Sequence, residues 1–455
     1  MKKKMTQKMR RQMKTSRSIF ARLYRIQNHF FADFADWLND MNDPRHPSYI
    51  LYTQAVIILQ FIFKCICGIV SMRGMTKRFN TDEFIANLSI ISGQDNLTEK
   101  PDWQTGNNYL ERLKTKELEK IRYEMIRKLI RTKQFKSYTV EGSYIVIIDG
   151  TDIAYFPNKH CEHDLVKKTV NKETGEEKLQ YYHKTLEAKI LLGPGLILSI
   201  ATEFIENEKE DVSKQDCELN AGYRLLDKLK KAFPKQKFLI VGDALYAVMP
   251  FMHAVREKNW DYLFRIKSGR QENLMKDFDD LLTQIDKDSI VKDMIQGEDG
   301  TAMFVNNVDQ VTDKPEVCNM IRYVYLSAGE RKEFNWVTSM EITRKNVRAL
   351  ARAGRSRWKI ENEGFNFQKN GIYELEHHCS LDWNAMKNHY LIVQIADILR
   401  QLMEAFDEIV YRLDEGSKHW ACDLLTALVS RTLTEEDMDY VQKPTALHMR
   451  CCLVG

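Results

Sequence analysis

Acidic residues are missing from the first 32 positions of this chain, which instead carry Lys2, Lys3, Lys4, Lys8, Arg10, Arg11, Lys14, Arg17, Arg22 and Arg25. Such a run cannot neutralise itself and predicts an arm that seeks a polyanion. Also lacking is any Cys-x-x-Cys pair: the nine cysteines are odd in number and widely spaced, which argues against a disulfide framework and predicts reduced thiols. His160, Cys161 and His163 stand too close together for a usual zinc knuckle and have no second ligand pair downstream, so no zinc is expected there. No short apolar block with a small-residue cleavage site follows the basic start, so no secretory signal is expected. The most apolar stretch, Ala55 to Met72, is interrupted by Gln60 and Lys64, barely reaches spanning length and reads as a buried helix. Internal repeats and extended low-complexity tracts are absent beyond the basic arm. The expectation is a cytoplasmic protein.

What is present supports real cores: 44% of the 455 residues are hydrophobic, and 68 basic against 64 acidic residues leave a formal charge of only +4. Charge placement, not its sum, carries the information. Up to residue 138 the pattern is helical, with Leu110, Leu113, Leu118, Ile121, Met125 and Leu129 at three- to five-residue steps and a helix-start junction at Pro101-Asp102. From Ser143 the pattern changes. Tyr144 to Ile148 is a short apolar, β-branched run that suits a covered central strand, ending on Asp149-Gly150. A hairpin is expected over 183–192 and 196–204 around Gly193-Pro194-Gly195. A helix over 216–232, a buried strand over 238–241 ending in Gly242-Asp243, a helix over 246–258 and a strand over 262–266 follow. Three antiparallel-type strands and then alternating helix and strand describe a mixed α/β sheet. The stretch 268–340 reads as a β-rich insertion, with strands over 320–326 and 334–339, before a long helix over 344–369 and an apolar helix over 388–406. The expected regions are thus 1–138, 139–267, 268–340, 341–380 and 381–455.

Two carboxylates, Asp149 and Asp243, end buried strands. An ionised carboxylate in an apolar setting is costly unless it is paired or metal-bound, and adjacent parallel strands would bring these two to one sheet edge. A divalent cation keeps two close carboxylates ionised. A third acid lies in Arg355-Ser-Arg-Trp-Lys-Ile-Glu361-Asn-Glu363, where the two glutamates compete. On a regular helix Gly354, Trp358 and Phe365 fall within about 60° of Glu361, and Arg357 is its i−4 neighbour, whereas Glu363 lies one turn beyond Lys359, where an exposed ion pair accounts for it. Glu361 is the expected ligand. Asp152 reads as a turn acid, or one that orients a metal ligand, and not as a ligand itself. The same helix carries Arg344, Arg348, Arg352, Arg355 and Lys359 at three- and four-residue steps, a basic stripe with no acid on its face that suits phosphate contact.

With these residues in place, the chain resembles the DDE transposases of bacterial insertion sequences, the cut-and-paste group whose RNase H-like domain carries a β-strand insertion before the final Glu, from about Ser143 to Tyr390. Arg357-x3-Glu361 matches the family's Tyr-x2-Arg-x3-Glu-x6-Lys signature, but Gly354 stands at the Tyr position and Lys369 comes one residue late. The resemblance implies a mixed RNase H-like sheet with helical terminal regions, an N-terminal end-recognition region, and Asp149, Asp243 and Glu361 as catalytic metal ligands. It implies two Mg²⁺ ions, with Mn²⁺ as an alternative, and Arg357 and Lys369 as phosphate contacts. For Trp336 two readings stand: a core strand aromatic, or, by the resemblance, the counterpart of an aromatic that holds a flipped base. The implied activity is metal-dependent DNA cleavage and strand transfer, on element ends and target DNA, by a homodimer. Two rivals stand beside it: a non-joining RNase H-like nuclease, and a decayed transposase that only binds DNA.

Overall fold

The apolar run that begins at Ala55 forms the helix Gln54–Ile66, buried along its whole length and capped by the Thr53 hydroxyl, which accepts from the Val56 N–H. Its two polar interruptions have buried partners: the Gln60 amide donates to the Pro101 carbonyl at 3.1 Å, and the Lys64 ammonium lies 3.3 Å from His389 Nε2. The computed structural model describes residues 17–170, 175, 177–209, 214–267, 269, 271–295, 298–308, 318–327, 329–413, 416–444 and 447–450. Most of the basic arm lies outside these residues. The chain divides into two units: Met1–Lys133, Ile153–Cys161 and Gly364–Cys451 form one, and Gln134–Asp152, Glu162–Glu363 and Cys452–Gly455 the other.

The first unit is helical and joins the two terminal regions that the sequence shows apart. The helix Trp383–Phe406, longer than the expected 388–406, is buried on most of its surface. It packs against Ile19–Phe30, Gln54–Ile66, Trp103–Arg112 and Thr115–Arg131. Pro101-Asp102 starts a helix as expected, the Asp102 carboxylate accepting from the Gln104 N–H. The described end of the basic arm is not free. Arg22 is buried against Asp407, Arg17 pairs with Glu436 at 3.0 Å, and Arg25 stacks over the Tyr440 ring. No helix among the described residues is long and apolar enough to cross a membrane.

A mixed sheet is made of strands β1 (Thr139–Val140), β2 (Ser143–Phe156), β3 (Leu165–Val170), β4 (Glu177–Gly193), β5 (Leu196–Ile205), β6 (Phe238–Gly242), β7 (Asp261–Ile266), β8 (Ile290–Ile295), β9 (Glu298–Val305), β10 (Asn319–Ser327) and β11 (Glu330–Thr338), all in the second unit but for the end of β2 from Ile153. The order is β3-β4-β2-β6-β7-β11-β10-β9-β8, with β1 on β2 and β5 on β4. β2, β6 and β7 are mutually parallel, whereas β1–β2, β3–β4, β4–β5, β7–β11, β11–β10, β10–β9 and β9–β8 are antiparallel. The apolar runs of β2 and β6 are covered on both faces, as their composition requires. The hairpin β4–β5 turns at Gly195, whose φ of +71° is a conformation that glycine adopts without strain.

Four sequence expectations need correction. β2 does not stop at Asp149-Gly150 but continues to Phe156, because Thr151 and Ile153 bury their side chains while Asp152 does not, a strand's period of two. Asp152 therefore sits in a strand and not in a turn. β3, whose Lys167 and Lys168 make it look like a polar excursion, pairs with β4 from Leu165↔Tyr182 to Val170↔Glu177. The strands of the insertion extend the same sheet, β11 pairing antiparallel with β7, Val337 opposite Phe264, but the stretch also includes an unforeseen helix, Glu272–Leu282. Finally, the helix expected over 344–369 is broken. A regular helix covers Val347–Arg355, a wider π-helical segment covers Ile360–Asn366, and Phe367–Asn370 returns to α geometry. A π segment often marks a functional position.

Candidate active site

The parallel pairing of β2 with β6 places the two aspartates side by side. Ile147 is the register partner of Val241, so two residues further along each chain come Asp149 and Asp243, at the carboxyl ends of neighbouring parallel segments. Each is held by its own backbone. Asp149 Oδ1 accepts from the Gly150 N–H at 3.0 Å, and Asp243 Oδ1 accepts from the Leu245 N–H at 2.8 Å.

Arg357 brings the third acid to them. Its guanidinium donates to Asp149 Oδ2 at 3.1 Å and pairs with Glu361 Oε1 at 2.7 Å, so one cation links a strand-end aspartate to the glutamate of the π segment. Glu363 faces another partner, Lys359, at 2.7 Å, as the i,i+4 spacing suggests. Glu361 is not on an apolar inward edge, however: its side chain is 50% exposed. Trp358, expected beside it on that edge, is 42% exposed. The 100° step behind that expectation fails where the helix widens.

Burial pushes the Asp149 carboxyl up to about 7; Arg357 opposes this, while Glu218, Glu361 and Asp243 add to it. Asp149, Asp243 and Glu361 offer only carboxylate oxygens, with Arg357 between the first and the last of them, and such a donor set suits a hard divalent cation and not zinc.

The remaining expected DNA contacts each have a protein partner. Acids from the insertion, invisible on a wheel of the helix alone, face the basic stripe: Arg344 pairs with Asp288 at 3.3 Å, and Arg348 and Arg352 share Asp293 at 3.7 and 3.2 Å. These three arginines stay about half exposed. Arg355 stacks over the Tyr325 ring, 4.4 Å from its centroid. Lys369 belongs to the helical unit and pairs with Glu376 at 2.9 Å. Gln368, at the family's Lys position, is fully buried and donates to Gln394 and Asp397, both at 3.0 Å.

Trp336 is 1% exposed, stacked on Phe334 and covered by Gly354, so in this conformation the indole offers no face to a flipped base. The same contact explains the missing tyrosine of the signature. A Cβ on Gly354 would lie 2.5 Å from Trp336 Cε2, so the indole occupies the space that any side chain there needs. Gly354→Ala is expected to lower stability by about 1–3 kcal/mol through overpacking, set against roughly 1 kcal/mol of helix propensity gained, read as the urea midpoint.

Sequence reasoning missed four residues at this site. Glu218, Tyr246 and Lys184 adjoin the aspartates, and Arg265 on β7 stacks over Phe334 at 4.5 Å, its pKa lowered by burial and by Arg357. Glu218 reads as an ordinary acid in a first helical turn, Tyr246 as a core aromatic, and Lys184 and Arg265 as single strand cations. Only the closeness of Tyr246 to Asp243 in sequence was a signal.

The arrangement is thus a mixed sheet in which two aspartates sit on neighbouring parallel strands and a glutamate follows the inserted strands. More particularly, residues 141–397, over half of the chain, match the family described as transposase DDE domain, and the chain belongs to it. No curated protein matches. Among solved structures, a piggyBac transposase synaptic complex with hairpin DNA is similar, with 12% identity over 95% of this chain and 84% of that one and a TM-score of 0.41.

Proposed function

We propose that this protein cuts and rejoins DNA as the transposase of a bacterial insertion sequence, with Asp149, Asp243 and Glu361 holding two Mg²⁺ ions, or Mn²⁺ in their place. The observation that carries this reading is the juxtaposition itself: two aspartates at one register level and a glutamate tied to the first of them through Arg357. When bound, such ions polarise a phosphoryl oxygen and lower the pKa of the attacking water. The chain's own residues do the rest. Arg357, which spans two carboxylates, would hold the scissile phosphate, since its fork geometry suits two phosphate oxygens. Arg344, Arg348, Arg352, Arg355 and Lys359 exchange their partners for the backbone of the bound strand, and Lys369 adds a further cation. The helical region over 1–138 recognises the element ends, and two copies pair two ends, acting at the nucleoid.

The test is to incubate the protein with the DNA that flanks its own gene and Mg²⁺, and to map the cut ends. Cleavage at two defined ends, joined products with pre-cut ends, and loss of both in Asp149→Ala with end binding retained are the expected results. Full cleavage by Asp149→Ala would overturn the assignment; cleavage without joining would make the protein a nuclease.

A further inference from the structure

We propose that Glu218 is a positioning residue that sets both metal-binding aspartates at once, Asp149 through Gly150 and Asp243 through Tyr246; this rests on the metal-binding reading above. Glu218 is the first residue of the helix Glu218–Ala232, and its side chain is mostly buried. Its two oxygens have separate partners. Oε1 accepts from the Tyr246 hydroxyl at 2.8 Å, and Oε2 pairs with Lys184 Nζ, on β4, at 2.9 Å.

Each contact leads to an aspartate. Tyr246 is fully buried, and its ring packs on Phe251 and Phe264. Its backbone N–H donates to the Asp243 carbonyl at 3.3 Å, closing the turn whose Leu245 N–H orients the Asp243 carboxylate. The ring also lies over Gly242, where a Cβ would come 2.7 Å from Tyr246 Cδ2. Fixing the tyrosine hydroxyl therefore fixes the turn that carries Asp243. On the other side, the Glu218 carboxylate occupies the space beside Gly150 that a side chain would fill: a Cβ there would lie 2.3 Å from Oε2. The N–H of Gly150 is the one that Asp149 Oδ1 accepts. One carboxylate, held by Lys184, thus abuts the residue after Asp149 and anchors the turn after Asp243.

Such a group acts on the cation only through the ligands it orients, and loss of a partner of this kind costs about 10–100-fold in metal affinity. Binding of Mn²⁺ to the full chain, followed by electron paramagnetic resonance and without DNA, reads this directly, beside a thermal melt of each variant. Glu218→Ala and Tyr246→Phe are each expected to raise the Mn²⁺ Kd about tenfold. The double variant should be no weaker than Glu218→Ala alone, because the tyrosine change removes a link that the alanine has already broken. Glu218→Gln, which keeps an acceptor for the Tyr246 hydroxyl, should stay within about threefold of wild type. In cleavage, the Mg²⁺ concentration for half-maximal rate should rise in parallel while the rate at saturating Mg²⁺ changes little. If Glu218→Ala does not fold, Tyr246→Phe, which removes one oxygen, carries the test. Wild-type Mn²⁺ affinity in Tyr246→Phe, or additive losses in the double variant, would overturn the proposal. Asp149→Ala separates the two levels: if it binds Mn²⁺ like wild type, the metal reading itself is wrong; if it alone loses Mn²⁺, only the role of Glu218 is.

Discussion

Glu361→Gln is expected to lower metal-dependent cleavage about a thousandfold, and Glu363→Gln to leave it within about threefold of wild type. The two residues flank Asn362, and both are glutamates with an i−4 cation. Their surroundings differ. Glu361 shares Arg357 with Asp149 and adds to the charge that raises the Asp149 carboxyl, so it faces the same small volume as the aspartates. Glu363 is committed to Lys359. Neutralising a ligand withdraws transition-state charge stabilisation of several kcal/mol, and roughly 4 kcal/mol corresponds to a thousandfold. The amide keeps the shape and still accepts from Arg357, so the loss is assigned to charge. The measurement is single-turnover cleavage of an end-bearing duplex over a range of Mg²⁺, with end binding checked by gel shift. Equal losses in both variants would return the third ligand to open competition.

Much of the sheet was legible because its central strands are nearly pure apolar runs. Tyr144 to Ile148 and Phe238 to Val241 leave no polar side to solvate, and such runs go where both faces are covered. Asp149 and Asp243 were legible for the same reason: a carboxylate directly after such a run stands out chemically. What the sequence concealed depends on partners distant in the chain. The strand Leu165–Val170 carries two lysines because its residues beyond Leu165 are largely open, so its pattern is that of an edge and not of a core. Asp288 and Asp293 reach the arginines of the helix Val347–Arg355 only because the insertion folds back along the sheet, and no wheel of that helix includes them. The π segment defeated the wheel itself, so the preference for Glu361 over Glu363 used a geometry that the chain does not adopt, while the Arg357 spacing pointed to the residue that now faces Asp149. Glu218 was hidden because its role depends on two glycines and a tyrosine from three other segments.

Asp149→Asn is expected to raise the melting temperature of the metal-free protein by about 5 °C or more at pH 8, although it removes the residue on which the proposed chemistry depends. The carboxyl of Asp149 is raised from the ordinary value of 3.8 to about 7, chiefly by burial, with Arg357 pulling it down and three nearby carboxylates pushing it up. An acid whose pKa is higher in the folded state binds its proton more tightly there, so folding stability falls as pH rises from about 4 through about 7 and is level above that. At pH 8 the full cost is present: a shift of about three units corresponds to roughly 4 kcal/mol as an upper figure, and a domain of 150–250 residues moves by about 2–4 °C per kcal/mol. Asparagine keeps the acceptor for Arg357 and bears no charge. Its advantage should shrink towards pH 5 and vanish below about pH 4, where the aspartate is protonated in both states. Scanning calorimetry in a chelator at pH 4, 5 and 8 reads this series, and adding Mn²⁺ should stabilise the wild type and leave the variant unmoved, because a bound cation relieves the repulsion among the acids. A variant that melts at or below the wild type at pH 8 would mean that Arg357 alone already balances the site, and that the acids gathered around Asp149 do not require a metal ion to hold them together.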